Sequence, residues 1–272
     1  MSTNPNKALW EKGDFTQIAS NMRQSGEALA QSLGITPGLK VLDLGCGDGT
    51  TALPSAKLGA DVLGVDIAAN LVAAGNRRAQ EAGLSNLRFQ EGDASNLEGI
   101  PDDSFDLVVS VFGAMFAPRP MDVAKEMVRV AKPGGRIVMC NWIPGDPTMV
   151  AQLFKLSSTY LPPPPEGFIS PMTWGVESNV VERFGAAGIP SDQIACTRGT
   201  WVFNYPQPPA GVVQIHENYF GPVMNAFEAA ANAGKADQLR EELLQLFQSH
   251  NTSTDPATTS IPATFLRVTV NK

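Results

Sequence analysis

Three aspartates and three glycines carry the chemical signal of this sequence. Gly45, Gly47 and Gly49 alternate in VLDLGCGDG, directly after an apolar run. Asp43 precedes them, and Asp66 and Asp93 close the next two segments, DVLGVD and FQEGD. Glycines at such a bend allow dihedrals closed to other residues and let a ligand approach the backbone. One glycine normally suffices for a turn alone. The dinucleotide fingerprint needs a glycine where Thr50 stands, which disfavours a nicotinamide oxidoreductase, and the Gly-Lys-Ser/Thr of a phosphate-binding loop is absent. An acid ending a second strand can accept both hydroxyls of a ribose, and one ending a third can accept an exocyclic amine such as adenine N6. Three acids without a base therefore suit a ligand with a ribose, an adenine and a positive charge but no phosphate. The alternative is that each is a helix cap or loop anchor and the glycines make a bare turn.

Alternating strands and helices must position these groups. Short apolar runs at 39–44, 61–66, 87–90, 105–111 and 136–142 read as strands, with helices at 50–58, 69–82 and 121–130 between them. Strands apolar on nearly every residue and separated by helices imply a parallel sheet covered on both faces. A helix is expected at 14–33. Beyond Trp142 the pattern predicts helices at 149–161, 176–187 and 211–250, a four-proline connector at 162–165, and strands at 194–205 and 264–270. The whole chain, 1–272, reads as one α/β domain. Its core is 35–142, and 143–190 and 206–262 are helical inserts forming a substrate lid.

Composition narrows the partners. The 272 residues are 43% hydrophobic and 17% charged, enough to build a core. A formal net charge of -7 argues against a nucleic-acid partner and for a small molecule. Cys46, Cys140 and Cys196 lack C-x-x-C spacing and, with only His216 and His250, offer no metal set. Lone thiols, a polar N-terminus and no long apolar run give the expectation of a cytoplasmic protein without a membrane span.

The segments VLDLGCGDG, GVDIAAN, FQEGDASNL, SFDLVVSVFGAMF and MVRVAKPGGRIVM, in that order, resemble the class I S-adenosylmethionine-dependent methyltransferases, in the small-molecule style of the ubiquinone and menaquinone C-methyltransferases. The resemblance covers about residues 35–142. It implies a Rossmann-like, doubly wound, seven-stranded sheet, mostly parallel, with an antiparallel last strand. It also implies S-adenosyl-L-methionine as cofactor. Asp43, Gly45, Cys46 and Gly47 would line its methionine and ribose part, and Asp66 would hold the ribose hydroxyls. Ile67 would pack on the adenine, Asp93 and Ala94 would meet its edge, and Ser110 and Val111 would lie near the transferring methyl. Trp10 and Phe15 either close over the cofactor or simply pack. No Asn/Asp-Pro-Pro-aromatic stretch follows the fourth strand, and the scattered thiols do not suit arsenite methylation.

These features imply methyl transfer to an O, N or C atom of a small, partly hydrophobic organic acceptor, with a cofactor-binding sensor or scaffold as the alternative. If a base is needed, His216 is the candidate, and Tyr160, Tyr219 and Glu217 are weaker ones; a surface or lid histidine is the alternative for His216. An apolar wall is expected from Phe112, Met115, Phe116, Trp142, Phe154, Met172, Trp174, Phe220 and Met224, all of which could equally be core. The sequence leaves the oligomeric state open.

Overall fold

A computed structural model describes residue 4 and residues 6–272. The chain begins with α1 (Asn6–Glu11), α2 (Phe15–Ala19) and α3 (Arg23–Gln31). The alternating core follows: β1 (Lys40–Leu44), α4 (Ala52–Lys57), β2 (Asp61–Asp66), α5 (Ala69–Glu81), β3 (Leu87–Glu91), β4 (Phe105–Val111), α6 (Pro120–Val130) and β5 (Ala131–Trp142). The second half adds α7 (Met149–Ser158), α8 (Glu177–Ala186), β6 (Ile194–Tyr205), α9 (Pro209–Tyr219), α10 (Gly221–Asn232), α11 (Ala236–His250) and β7 (Thr259–Asn271).

All seven strands form one sheet in the order β3-β2-β1-β4-β5-β7-β6. The first five pair in parallel, and β7 runs antiparallel to both β5 and β6. Burial explains the strand sequences. Val41, Leu42 and Leu44 of central β1 are fully covered because helices lie on both faces. Edge strand β3 instead alternates, with Leu87 and Phe89 buried and Arg88 and Gln90 exposed.

Several boundaries differ from the sequence pattern. The helix expected at 14–33 divides into α2, a 3-10 turn at Ser20–Met22, and α3. The stretch 211–250 is three helices, broken where Pro222 enters the first turn of α10 and where Gly234 takes a φ of 68°. Strand β7 starts at Thr259 because Tyr205 and Thr259 still pair across the β6–β7 arm. Strand β3 stops before Asp93, whose Oδ1 accepts the Ser95 N–H (2.8 Å) and turns the chain away. Among the described residues no helix is long and apolar enough to cross a membrane.

Candidate functional site

The strand order turns back between β1 and β4, where open parallel sheets receive ligands beyond the strand C-termini. A cavity with about 940 Å³ of atom-free space, part of it open to solvent, lies there. Asp43, Gly45, Cys46, Gly47, Asp66, Ile67, Asp93, Ala94 and Val111 all lie on its wall. Ser110 does not: its buried hydroxyl donates to the Leu44 carbonyl (2.6 Å) and accepts the Ala114 N–H (2.9 Å), tying β4 to β1 behind the wall.

The three alternating glycines have separate reasons, although all take positive φ values of 68°, 55° and 92°. A Cβ on Gly45 would sit 2.6 Å from the Gly113 Cα, and one on Gly49 would sit 2.3 Å from Leu53 Cδ1. Both are therefore packing glycines. A Cβ on Gly47 would meet nothing within 4 Å. Bare backbone facing open space is thus the property of Gly47 alone.

The acids differ as well. Asp43 is 2% exposed, and its Oδ2 has no hydrogen-bond partner. Burial, with a contribution from the charge of Asp66, pushes its carboxyl up to about 7. Asp66 accepts the Gly47 N–H at Oδ2 (2.8 Å) and the Ala68 N–H at Oδ1 (2.9 Å). Burial raises its pKa, and these N–H groups oppose the rise. Asp93 Oδ2 accepts from Asn4 Nδ2 (3.1 Å). Burial and the neighbouring carboxylates raise the Cys46 thiol, which disfavours its thiolate.

Other contributors carried no legible signal in the sequence. Helix α1 straps the cavity: Lys7 Nζ donates to the Ile67 carbonyl (3.0 Å) and Glu91 (2.6 Å), Asn6 donates to the Phe116 carbonyl, and Glu11 accepts the Ala69 N–H (3.1 Å). Asp48, inside the glycine bend, is 1% exposed. It pairs with Arg23 of α3 and lies 3.5 Å from Arg78 of α5, whose guanidinium also donates to the Asp48 carbonyl (2.6 Å). A buried acid among glycines was the available clue to that anchor.

A second cavity, about 490 Å³ of atom-free space and likewise partly open to solvent, shares Trp10, Phe15, Met22, Phe112 and Phe116 with the first. Of the expected apolar wall, Phe112, Phe116, Trp142, Phe154 and Phe220 line it. Met115, Met172, Trp174 and Met224 line neither cavity; Trp174, for example, packs beneath the Arg183 guanidinium (4.5 Å) and beside Phe184. Phe112 stacks on Trp142 (3.7 Å between ring centroids) and holds a left-handed φ of 58°, an uncommon and costly conformation for a bulky residue. His216 lines the second cavity, whereas Tyr160 donates to Glu242 (2.8 Å), Glu217 pairs with Arg240 (2.7 Å), and Tyr219 is exposed. Those three lie on neither cavity wall, so the base candidates reduce to His216. Among the described residues no group of three or more His, Cys, Asp or Glu side chains is arranged to hold a metal ion.

Comparison with known proteins agrees with this fold. Residues 42–139 match the family described as a methyltransferase domain. An uncharacterized protein of Mycobacterium tuberculosis is 33% identical over 88% of this chain and 86% of its own length. A demethylmenaquinone methyltransferase of Geobacillus is 34% identical over 50% of this chain and 59% of its own. The YcgJ protein of Bacillus subtilis, at 23% identity, shares the fold with a TM-score of 0.57 over 92% of this chain and 98% of its own.

Proposed function

The chain belongs to the class I S-adenosylmethionine-dependent methyltransferases, and from that premise we propose that its acceptor is a small, partly hydrophobic organic molecule methylated at an O, N or C atom. The observation that carries the proposal is the pairing of cavities: an acid-lined, glycine-floored one at the sheet's turning point, adjoining an apolar one through shared aromatic residues. The proposed acceptor class also accords with the name of the Geobacillus relative, a demethylmenaquinone methyltransferase.

S-adenosyl-L-methionine supplies a methyl group already activated on a positively charged sulfur. The residues present fit such a molecule: the unpaired Oδ2 of Asp43 suits a cationic amino-acid end, and the open space over Gly47 admits the body of the ligand. In the proposed assignment Asp66 accepts the ribose hydroxyls through lone pairs left over from its two backbone bonds. Asp93 and Ala94 meet the adenine edge, and Ile67 packs on its face. Gly45, Cys46 and Gly47 form the floor, while Val111 and Phe112 bound the space where methyl donor and acceptor meet. Ser110 holds β4 in register behind them. Positioning and exclusion of water are the chain's main contribution, which can lower a barrier by ~7–11 kcal/mol. Residues 143–190 and 206–262 of the same domain wall the acceptor side through α7, α9 and Phe220.

The test is incubation of the purified protein with methyl-labelled cofactor and a metabolite extract. Label is expected in products that partition into organic solvent. Tight cofactor binding with no labelled product, or label confined to strongly polar products, overturns the proposal.

A further inference from the structure

Among the residues lining the second cavity, His216 alone is titratable, and no Asp, Glu, Lys or Arg joins it. Its Nδ1 lies 2.9 Å from the Val212 carbonyl oxygen. A carbonyl only accepts, so Nδ1 carries the hydrogen and Nε2 is left as an acceptor. Nε2 has no hydrogen-bond partner among the described residues. The rings of Phe247 (4.9 Å), Phe220 (5.7 Å) and Tyr205 (6.1 Å) surround the imidazole, and burial pushes its pKa down to about 4. The ring is therefore neutral in ordinary buffers.

Such a chamber discriminates by chemistry. A carboxylate, phosphate or ammonium entering it would find no opposite charge and would lose its hydration. A flat apolar ring would meet the faces and edges of Trp10, Phe15, Phe116, Phe154 and Phe220, which contact one another at 4.9–6.3 Å. A single hydrogen-bond donor on that ring would satisfy the one acceptor that is left over.

We infer that the acceptor is an uncharged aromatic molecule bearing a hydroxyl, and that His216 Nε2 receives first that hydroxyl's hydrogen bond and then its proton. The inference rests on the methyl-transfer reading given above. As the acceptor oxygen bonds to the methyl carbon, the carbon–sulfur bond breaks with its electron pair kept by sulfur, and the hydroxyl proton passes to Nε2. One positive charge is present before and after: it leaves sulfur and appears on the imidazolium. The site as a whole gains no net charge, and because the methylated oxygen is a far stronger acid than the free hydroxyl, a ring that is a weak base in the empty protein can still take the proton.

The experiment uses the full chain loaded with S-adenosylhomocysteine and compares binding of 2-naphthol, 2-methoxynaphthalene and 2-naphthoate by calorimetry, in wild type, His216→Gln and His216→Phe. Wild type is expected to bind 2-naphthol about tenfold more tightly than 2-methoxynaphthalene and to reject 2-naphthoate. His216→Phe is expected to lose the hydroxyl preference while keeping its affinity for S-adenosylhomocysteine, which also certifies its fold. With labelled cofactor, methylation of 2-naphthol is expected to fall about a hundredfold or more in His216→Phe, with His216→Gln, whose amide oxygen reaches the place of Nε2, retaining the binding preference but not the rate. A wild type without hydroxyl preference, or a His216→Phe protein that keeps both preference and rate, overturns the inference. If wild type fails to bind S-adenosylhomocysteine at all, it is the methyl-transfer reading that fails.

Discussion

Replacing Asp43 with asparagine is expected to strengthen the empty protein and weaken the loaded one. The Asp43 carboxyl stands at about 7 instead of 3.8 because it is buried and lies near the charge of Asp66. Between these two values the unfolded chain has released the proton and the folded chain still holds it. Stability therefore falls as pH rises through that window and is flat above it. At pH 8 the ionised group costs the empty protein on the order of 4 kcal/mol, from the displacement of 3.8 to about 7. Asparagine keeps a polar group in the same place, so Asp43→Asn should recover about 1–3 kcal/mol, a rise in Tm of about 3–8 °C at pH 8 and almost none at pH 4. Cofactor binding should move the other way. Losing a charge-assisted contact to a cationic ligand costs about 1.5–3 kcal/mol, or roughly ten- to a hundredfold in Kd. Wild-type affinity should also rise as pH increases from 6 to 8, and that slope should vanish in the variant. Differential scanning fluorimetry at pH 4 and 8, with calorimetry across pH 6–8, measures both halves. An Asp43→Asn protein that is less stable at pH 8 and binds the cofactor with unchanged affinity would refute the reasoning.

Three further substitutions separate packing from binding in the glycine bend. Gly47→Ala should cost about 1–2 kcal/mol for its left-handed backbone yet fold, and its methyl group should cut cofactor affinity at least tenfold by titration. Gly45→Ala should cost about 3–5 kcal/mol by urea denaturation, because overpacking against Gly113 adds to the same backbone penalty. Asp48→Ala should lose about 2–3 kcal/mol in the same assay, less than a fully buried pair, since Arg23 and Arg78 keep some contact with water. A Gly47→Ala protein with wild-type affinity, or a Gly45→Ala protein with wild-type stability, contradicts the division of roles.

The central sheet was readable because Val41–Leu44 and Phe105–Val111 are apolar on both faces, a pattern only a covered parallel strand requires. The strand-end acids were readable because they interrupt those runs. Helix α1 was not, since its docking depends on Lys7, Asn6 and Glu11 reaching loops far away in sequence. Pro222 and Gly234 did announce the breaks between α9, α10 and α11, but helical periodicity continued across them and outweighed the local signal. Apolar type could not tell cavity wall from core: Phe154 and Trp174 look alike in a sequence, and only the packing of Arg183 against one of them decides. The independent reasons for Gly45, Gly47 and Gly49 were equally hidden, because each depends on what stands opposite.

The residues shared by the two cavities set a practical limit on redesign. Phe112 and Phe116, among them, line both, so on the proposed reading altering them changes two affinities together. Met149, Val150, Leu153 and Phe154 border the second cavity only, and all four sit on α7. On the proposed reading, that ten-residue helix presents one face of the acceptor's surroundings that is open to combinatorial variation without touching the residues that hold the methyl donor or the His216 side chain.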